Sequence, residues 1–119
     1  MQSSTSLGLL EQLVLTAILT LDEDAYGVTI QREVGRLAAP RVPAIGAIYV
    51  TLDRLEDKGL IRSWQSDPTP QRGGRAKRCF RLEAAGERAL RKAAETTRRL
   101  HEALTTAWEP RRWKPARAR

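Results

Sequence analysis

Two short basic segments carry the side chains of this chain that are best suited to binding chemistry. Between Pro68 and Leu82 five basic residues occur without an acid, and five more follow Pro110, again without an acid. Subtracting these ten charges from the net charge of +7 leaves −3 on the remaining residues. Guanidinium and ammonium groups bind phosphate, so this distribution predicts an anionic partner, with nucleic acid ahead of an anionic membrane. The basic residues are Arg72, Arg75, Lys77, Arg78 and Arg81, then Arg111, Arg112, Lys114, Arg117 and Arg119.

Candidate catalytic groups are scarce in this chain, whose 119 residues have the length of one domain. Cys79 is the only cysteine and His101 the only histidine, so neither an internal disulfide nor a Cys/His metal cluster can form. No nucleophile–base pair, paired-carboxylate site or phosphate-binding loop is visible, and we expect no enzyme activity, no cofactor and no metal. Cys79 can be a redox sensor or a small buried hydrophobic residue. His101 can be a pH switch or an ordinary surface or interface residue.

The longest apolar run, residues 13–21, is interrupted by Thr16 and Thr20. It is shorter than the roughly 20 residues that span a bilayer. No lysine or arginine precedes it, which makes it a poor signal peptide. We therefore expect a cytoplasmic protein that does not insert into membranes.

Helical periodicity predicts three short helices in the first half of the chain. Asp24 is a suitable N-cap for a second helix over residues 25–37. The third helix is predicted to begin near Pro43 and to end at Gly59, with apolar Leu60 following as a Schellman cap prefers. The first helix can be capped by Ser4, Thr5 or Ser6, and its stripe is Leu10, Leu13, Val14, Ala17, Ile18 and Leu21. The later stripes are Tyr26, Ile30, Val34 and Leu37, then Ile45, Ile48, Leu52 and Leu55.

A change of period after the third helix predicts a hairpin and then one long helix. Residues 61–66 and 77–82 have strand patterns, with Trp64 as a packing residue, and the segment between them is rich in Pro, Gly and Thr. Residues 84–108 have the pattern of a helix roughly 37 Å long. Its apolar positions follow a three-four alternation, and the free end of that stripe needs a partner. These positions are Leu90, Ala93, Thr97, Leu100, Leu104 and Ala107.

This order of elements predicts a mainly α fold with a small β-hairpin. We expect a winged helix-turn-helix DNA-binding domain over residues 1–83, a C-terminal dimerisation helix over residues 84–109, and a basic, disordered tail over residues 110–119. In such a domain one helix enters the DNA major groove and the wing reaches the backbone or the minor groove. The alternative is a non-catalytic RNA-binding or anionic-membrane-surface module that uses the Arg-Gly-Gly segment and the basic tail.

The side of the third helix opposite its apolar stripe is the predicted base-reading surface. Thr51 and Arg54 can bond to bases or phosphates, and Val50 can contact a thymine methyl or be an isolated surface valine. Asp53 and Asp57 would repel phosphate, so we place them off the contact face. Small residues at the N-terminal turn permit a close approach to the duplex. The whole surface comprises Ala44, Gly46, Ala47, Val50, Thr51, Arg54 and Lys58.

The tip of the hairpin combines glycines with arginines. The glycines bring backbone N–H groups close to a phosphate, the basic side chains supply charge, and arginine beside glycine suits a narrow minor groove. A mobile loop with no partner is the alternative interpretation. The basic tail can add phosphate contacts that do not read sequence. The predicted tip contacts are Arg72, Gly73, Gly74, Arg75 and Lys77.

Several short motifs occur in a specific order. They are Tyr26-Gly27, Ile48-Tyr49-Val50-Thr51-Leu52, Arg54-Leu55-Glu56, Lys58-Gly59-Leu60, the segment from Arg72 to Arg78 that precedes Phe80-Arg81-Leu82, and Gly86. In this order and spacing the chain resembles the PadR family of bacterial transcriptional regulators over about residues 7–104. Val50 stands where many members have proline, and Glu83 where many have threonine. The last helix is short for the family, which argues against a large effector-binding domain.

The resemblance implies a homodimer that is built on the C-terminal helix and represses nearby genes. It also implies that Tyr26 and Tyr49 approach the DNA backbone while Arg72, Arg75 and Lys77 reach a groove. Some members release DNA when a small aromatic or toxic compound binds, and Trp108 can stack on such an effector or simply pack. A two-fold symmetric dimer predicts a pseudo-palindromic site on double-stranded DNA, with half-sites about one helical turn apart.

Overall fold

The computed structural model describes residues 6–67, 76–109 and 112–116. In these parts of the chain four α-helices and an antiparallel hairpin follow one another in the predicted order, which confirms the mainly α, winged helix-turn-helix fold class with a long C-terminal helix. The elements are α1 (Leu9–Leu21), a 3-10 turn (Asp22–Asp24), α2 (Gly27–Leu37), α3 (Ile45–Asp57), β1 (Ile61–Gln65), β2 (Arg78–Leu82) and α4 (Ala84–Ala107). The hairpin and its connection, residues 61–82, are called the wing below.

One core is shared by α1, α2, α3 and the wing. The predicted stripes supply most of it, and Leu15 joins them although the pattern of α1 left it out. Because α1 contacts α2 and α3 as well as β2 and α4, the buried part of its surface is wider than the apolar stripe that the sequence predicts. The largest fully buried side chains are Phe80, Leu15, Ile30, Ile48, Leu52, Leu55, Ile61, Val14 and Val34.

The predicted cap of α1 is wrong, because the helix begins later than the serine and threonine residues proposed for it. Gly8 is the N-cap, and Ser6 lies two positions before it, outside the helix; Ser4 and Thr5 lie outside the described residues. The N–H of Gly8 donates to the carboxylate of Glu11 at 3.0 Å. Glu11, at the third position of the helix, therefore supplies the half of a capping box that accepts from the N–H of the N-cap residue.

The start of α2 also differs from the prediction. Tyr26 is the N-cap instead of Asp24, and its N–H donates to the hydroxyl of Thr29 at 3.0 Å. The physical reason is a contact from the wing, since the N–H of Phe80 donates to the carbonyl of Ala25 at 3.0 Å. This pairing keeps the chain extended up to Tyr26, so the helix cannot start at residue 25.

The end of α3 is the Schellman cap that the sequence predicts. The N–H of Leu60 donates to the carbonyl of Leu55 at 3.0 Å, and the N–H of Gly59 donates to that of Glu56 at 2.9 Å. Gly59 has a φ of +77°, a conformation that glycine adopts without a steric penalty. Leu60 then turns inward to the core, and β1 follows at once.

The wing pairs β1 with β2 in antiparallel register, with Ser63 opposite Phe80. Side chains alternate between the two faces of a strand, so Ile61 is buried whereas Trp64 lies on the outer face. The prediction of Trp64 as a packing residue is wrong for this reason. Its ring is exposed, with the guanidinium of Arg62 about 6.0 Å from its centre.

The long helix α4 is attached to the domain by its first two turns only. The N–H of Glu83 donates to the carbonyl of Leu60 at 2.9 Å, and Gly86 lies directly against the same carbonyl. Ala85, Ala89 and Leu90 pack against the core, and from Ala94 onward the described residues of α4 are exposed. The whole helix is about 36 Å long at 1.5 Å per residue. Most of it therefore projects from the domain, with its apolar stripe uncovered.

Candidate nucleic-acid interface

The N-terminal half of α3 presents a thin, exposed surface. Ala44 is the N-cap, Gly46 and Ala47 follow on the outside, and no heavy atom lies within 4 Å of the position a Gly46 side chain would take. Val50 and Arg54 continue this surface and are exposed. Apart from Lys58, which pairs with Glu11, the structure therefore brings five of the six remaining residues predicted for this face to one accessible side.

Thr51 is the exception, and its predicted exposure is wrong. Its side chain is 2% exposed, and its hydroxyl donates to the carbonyl of Ala47 at 2.8 Å. At about 100° per residue, Thr51 lies beside Ile48 and Leu55, while Ile45 lies at the other edge of the stripe and is 38% exposed. The helix is rotated toward Thr51 relative to the prediction, so its hydroxyl is used within the helix.

Tyr26, Tyr49 and Lys77 gather where the start of α2 meets α3 and the wing. The hydroxyl of Tyr49 occupies the space that a side chain on Gly27 would need. The ammonium of Lys77 lies 4.1 Å from the ring centre of Tyr26, in a cation–π contact. Tyr26 in turn forms a β-bridge with Cys79. Two phenol rings and a lysine therefore lie together around the start of α2.

Arg72, Gly73, Gly74 and Arg75 lie outside the described residues, as do Arg111, Arg117 and Arg119 of the tail. Arg112 and Lys114 are described and exposed. From Lys77 onward the wing leads back toward Tyr26 and the start of α2.

Arg78 was counted among the basic residues of the wing, but the structure gives it a different setting. Its guanidinium reaches Glu56 and Asp53 of α3, at 2.7 Å and 3.2 Å. A sequence signal for this existed, since Arg78 is two positions before Phe80 and therefore lies on the inward face of the strand. Asp53, which we placed off the contact face, is compensated by this arginine.

Glu11 and Lys58 form a second pair that the sequence did not predict. Lys58 Nζ donates to Glu11 Oε2 at 2.8 Å. Burial raises the pKa of the Glu11 carboxyl, but the hydrogen bonds from Lys58 and the Gly8 N–H and the charges of Lys58 and Arg54 outweigh that effect and lower the pKa below its ordinary value. The pair joins the start of α1 to the end of α3.

The predicted dimerisation stripe divides into two parts. Leu90 and Ala93 are partly buried, whereas Thr97, Leu100, Leu104 and Ala107 are exposed, Leu100 to 59%. A groove of about 390 Å³ lies beside this stripe, between the start of α1 and α4. Its lining residues include Leu7, Gln12, Lys92, Thr96 and Leu100.

The surroundings of the single cysteine, the single histidine and Trp108 do not point to a special role for these side chains. Cys79 is buried in β2, with its sulfur 3.7 Å from the carbonyl of Lys77, which favours the structural interpretation. His101 is exposed on α4. Trp108 is the C-cap of α4 and is exposed, away from the lining of the groove.

None of the described helices is long and apolar enough to cross a membrane. Within the same parts of the chain, no three His, Cys, Asp or Glu side chains are grouped so that they could hold a metal ion.

A three-helix core with a two-stranded wing, an exposed helix face and flanking basic and phenolic side chains defines the winged helix-turn-helix class of DNA-binding proteins. The family model of the "Transcriptional regulator PadR-like family" matches residues 14–92, and the chain belongs to this family. It is therefore a DNA-binding transcriptional regulator and not an enzyme. A comparison with curated protein sequences gave no significant match.

Several solved structures share this fold. A PadR family transcription regulator from Clostridium difficile R20291 is 24% identical with a TM-score of 0.70, over 86% of this chain and 100% of that chain. A Streptococcus transcriptional regulator is 24% identical with a TM-score of 0.69, over 84% and 92%. Bordetella bronchiseptica BpsR, whose DNA binding is described as regulated by 6-hydroxynicotinic acid, is 14% identical with a TM-score of 0.66, over 93% and 74%. At these identities the likeness shows the fold alone.

Proposed function

We propose that this protein is a homodimeric repressor of nearby genes that binds operator DNA sequence-specifically through α3, called the recognition helix from here on. The observation that carries the proposal is the exposed side of this helix. Its first turn is built from Ala44, Gly46 and Ala47, and Val50 and Arg54 follow on the same exposed side. A surface this thin can enter a major groove, because little side-chain volume separates its backbone from the base edges.

Arg54 and Val50 are the proposed base-reading residues. Arg54 can donate two hydrogen bonds to a guanine, and Val50 can contact a thymine methyl group. Thr51 is not included, because its hydroxyl is buried and bonded to Ala47. The chain would therefore read bases with fewer polar side chains than the sequence suggests.

Tyr26, Tyr49 and Lys77 are the proposed contacts to the DNA backbone beside the recognition helix. Phenol hydroxyls and an ammonium group all donate to phosphate oxygens. The cation–π contact of Lys77 with Tyr26 supports this role, since it holds the charge at the edge of the recognition helix. Arg72, Gly73, Gly74 and Arg75 would extend the contact from the wing tip.

The second half of α4 is the proposed dimerisation surface. Leu100 and Leu104 are exposed on a helix that projects from the domain, and a second copy of the chain is the partner the family resemblance implies. This gives the proposed division into a DNA-binding domain over residues 1–83, a dimerisation helix over residues 84–109 and a basic tail over residues 110–119. Dimerisation would place two recognition helices on one face of the DNA.

A small aromatic effector is proposed for the groove between α1 and α4. The groove, at about 390 Å³, falls in the range of small-molecule sites, and Lys92 on its wall can pair with an acidic group. The 6-hydroxynicotinic acid named for BpsR is an effector of this chemical kind. Because the groove adjoins Leu100, an occupant would act on the proposed dimer contact, whereas Trp108 is too far along α4 to line it.

Nuclease footprinting on DNA upstream of the protein's own gene tests the proposal. We expect protection of two half-sites about one helical turn apart, and a reporter on the same promoter that is more active when the gene for this protein is deleted. One protected half-site would contradict the dimer. A less active reporter in the deletion strain would contradict repression while leaving DNA binding in place.

A further inference from the structure

We infer that Arg78 is a positioning residue that fixes the wing against the recognition helix through Glu56, and that it does not contact DNA phosphate. The inference rests on the proposed function, since it assigns a role within sequence-specific DNA binding. It concerns a basic residue of the wing that the sequence groups with Arg72, Arg75 and Lys77 by charge alone.

The guanidinium of Arg78 is occupied within the fold. Nη2 donates to Glu56 Oε1 at 2.7 Å, and Nη1 donates to Asp53 Oδ1 at 3.2 Å. Glu56 and Asp53 are three positions apart on the recognition helix, so one arginine spans a full turn of it. The planar, fork-shaped group suits two carboxylates arranged in this way.

Ser63 extends the same cluster to β1, the first strand of the wing. Its hydroxyl lies 3.0 Å from both carboxylate oxygens of Glu56 and can donate to either. Arg78 Nε donates to the oxygen of that hydroxyl at 3.3 Å. The guanidinium carbon lies 5.0 Å from the ring centre of Phe80, in the core. The recognition helix, β1 and β2 therefore meet in one hydrogen-bonded group.

The burial and charge of this cluster argue against a DNA contact. The side chains of Arg78 and Glu56 are 35% and 34% exposed, so both are partly withdrawn from solvent. Two carboxylates surround one guanidinium, which leaves the cluster with a net negative charge that repels phosphate. Lys77 differs in this respect, since its ammonium faces the Tyr26 ring at the exposed edge.

Wing position matters because a winged helix contacts DNA at two places. The recognition helix reads base edges while the wing contacts the neighbouring backbone or groove, so the distance between the two must match the duplex. Glu56 holds β2 at one distance from the helix through Arg78, and holds β1 through Ser63. A loosened wing would weaken binding to the operator while leaving non-specific phosphate attraction in place.

Glu56→Gln is the decisive variant, because the two possible roles of Arg78 predict opposite changes in its affinity for operator DNA. If Arg78 served only to attract phosphate, removing the nearby carboxylate would tighten binding to every duplex. If Glu56 positions the wing, the variant loses about tenfold in operator affinity, roughly the value of one charge-assisted hydrogen bond, and loses nothing on random DNA. Arg78→Gln alone does not separate the roles, since it also leaves two carboxylates uncompensated.

Asp57→Asn is the matched control. It removes the same charge from the adjacent position of the same helix, where Asp57 is exposed and has no ion-pair partner among the described residues. We expect Asp57→Asn to leave operator affinity unchanged or to raise it slightly. Both substitutions break the same interaction, so their effects should not add. The double variant Glu56→Gln/Arg78→Gln should bind the operator no more weakly than whichever single variant binds it more weakly.

The measurements use the full chain, the duplex upstream of its own gene and a random duplex of equal length. Fluorescence anisotropy gives the affinities, and amide hydrogen exchange of Arg78–Leu82 in the free protein follows wing release without DNA. Faster exchange and weaker operator binding in Glu56→Gln, with neither in Asp57→Asn, support the inference. Unchanged or tighter operator binding by Glu56→Gln, or additive losses in the double variant, overturn it.

The same data separate this inference from the proposed function. If the wild-type chain binds both duplexes equally, and also binds no duplex preferentially from a randomised library, the proposed sequence-specific function fails. The exchange measurement still decides whether Glu56 holds the wing. If the wild type is selective and exchange of β2 is the same in Glu56→Gln, the inference fails and the proposed function stands.

Discussion

Lys58 and Glu11 join the end of the recognition helix to the start of α1 across 47 positions of sequence, with Nζ 2.8 Å from Oε2. Glu11 is only 7% exposed, and its other carboxylate oxygen accepts the Gly8 N–H. One carboxylate therefore caps α1 and anchors the helix that we propose to read DNA. The pair lies one helical turn beyond Arg54, whose charge also acts on Glu11, so it fixes the end of the recognition helix beside a proposed base-reading residue.

This pair predicts how stability depends on pH. Because the pKa of Glu11 in the folded state lies below its ordinary value of 4.5, the unfolded state binds the proton more readily. The stabilisation is complete above pH 4.5 and is lost as the pH falls through the folded-state pKa. Glu11→Gln should cost about 1 kcal/mol at neutral pH, and its difference from the wild type should shrink below pH 4.5.

Urea unfolding at a series of pH values measures this dependence. Glu102→Gln on the exposed surface of α4 is the control, and it should change stability by less than about 0.5 kcal/mol. A Glu11→Gln difference that stays constant down to low pH would show that the ionised carboxylate does not supply the stabilisation.

Replacing two of the glycines by alanine should change the stability of the protein in opposite directions. In Gly86→Ala the new methyl group would meet the backbone carbonyl of Leu60, which cannot move as a side chain can, so we expect a loss of about 1–3 kcal/mol. Gly46→Ala has open space and should gain about 0.5–1 kcal/mol from helix propensity. Thermal unfolding measures both.

Gly46→Ala also separates stability from function. The added methyl group would stand between the recognition helix and the base edges, so the more stable variant should bind its operator more weakly. Equal or tighter operator binding by this variant would exclude a close approach of the first turn to the duplex.

Thr51 and Arg54 should behave differently, although sequence alone assigns both to base reading. Thr51→Ala removes a buried hydrogen bond and should cost about 1 kcal/mol of stability without changing sequence preference. Arg54→Ala should relax preference at one base pair by about 1–3 kcal/mol. Affinities for a panel of single-base operator variants distinguish them, and an equal loss for Arg54→Ala on every duplex would make Arg54 a phosphate contact.

The proposed dimer should separate when its stripe is charged. Leu100→Asp places a carboxylate in the uncovered part of α4 and should give a monomer by light scattering at micromolar concentration, since a buried unpaired charge is costly. Thr106→Asp adds the same charge on another side of the helix and should leave the dimer intact. An unchanged mass for Leu100→Asp would move the interface elsewhere.

The parts of the fold that could be predicted from the sequence are those that depend on residues close together along the chain. The Schellman cap at Gly59 depends on neighbouring residues, and so does the period change from α3 to β1, which is why both could be read from sequence. The start of α2 could not be predicted, because it is set by the pairing of Ala25 with Phe80 over more than 50 positions. The rotation of the recognition helix that buries Thr51 is likewise decided by what packs on it.

In the candidate site, too, features set by neighbouring residues could be predicted, and features set by distant residues could not. The exposure of Gly46, Val50 and Arg54 follows from helical periodicity, and the structure agrees. Counting charges along the wing grouped Arg78 with its basic neighbours, since its partners Asp53 and Glu56 are more than 20 positions away. Strand alternation around Phe80 was the signal that distinguished it.

The affinities for promoter DNA and for random DNA, compared from about 50 to 200 mM salt, show whether the recognition helix reads bases. We expect tight binding to the duplex upstream of the protein's own gene that persists at the higher salt, with weak binding to random DNA throughout. Equal affinities that fall together by roughly a thousandfold or more would mean phosphate contacts alone. That result would contradict base reading by the recognition helix on this DNA.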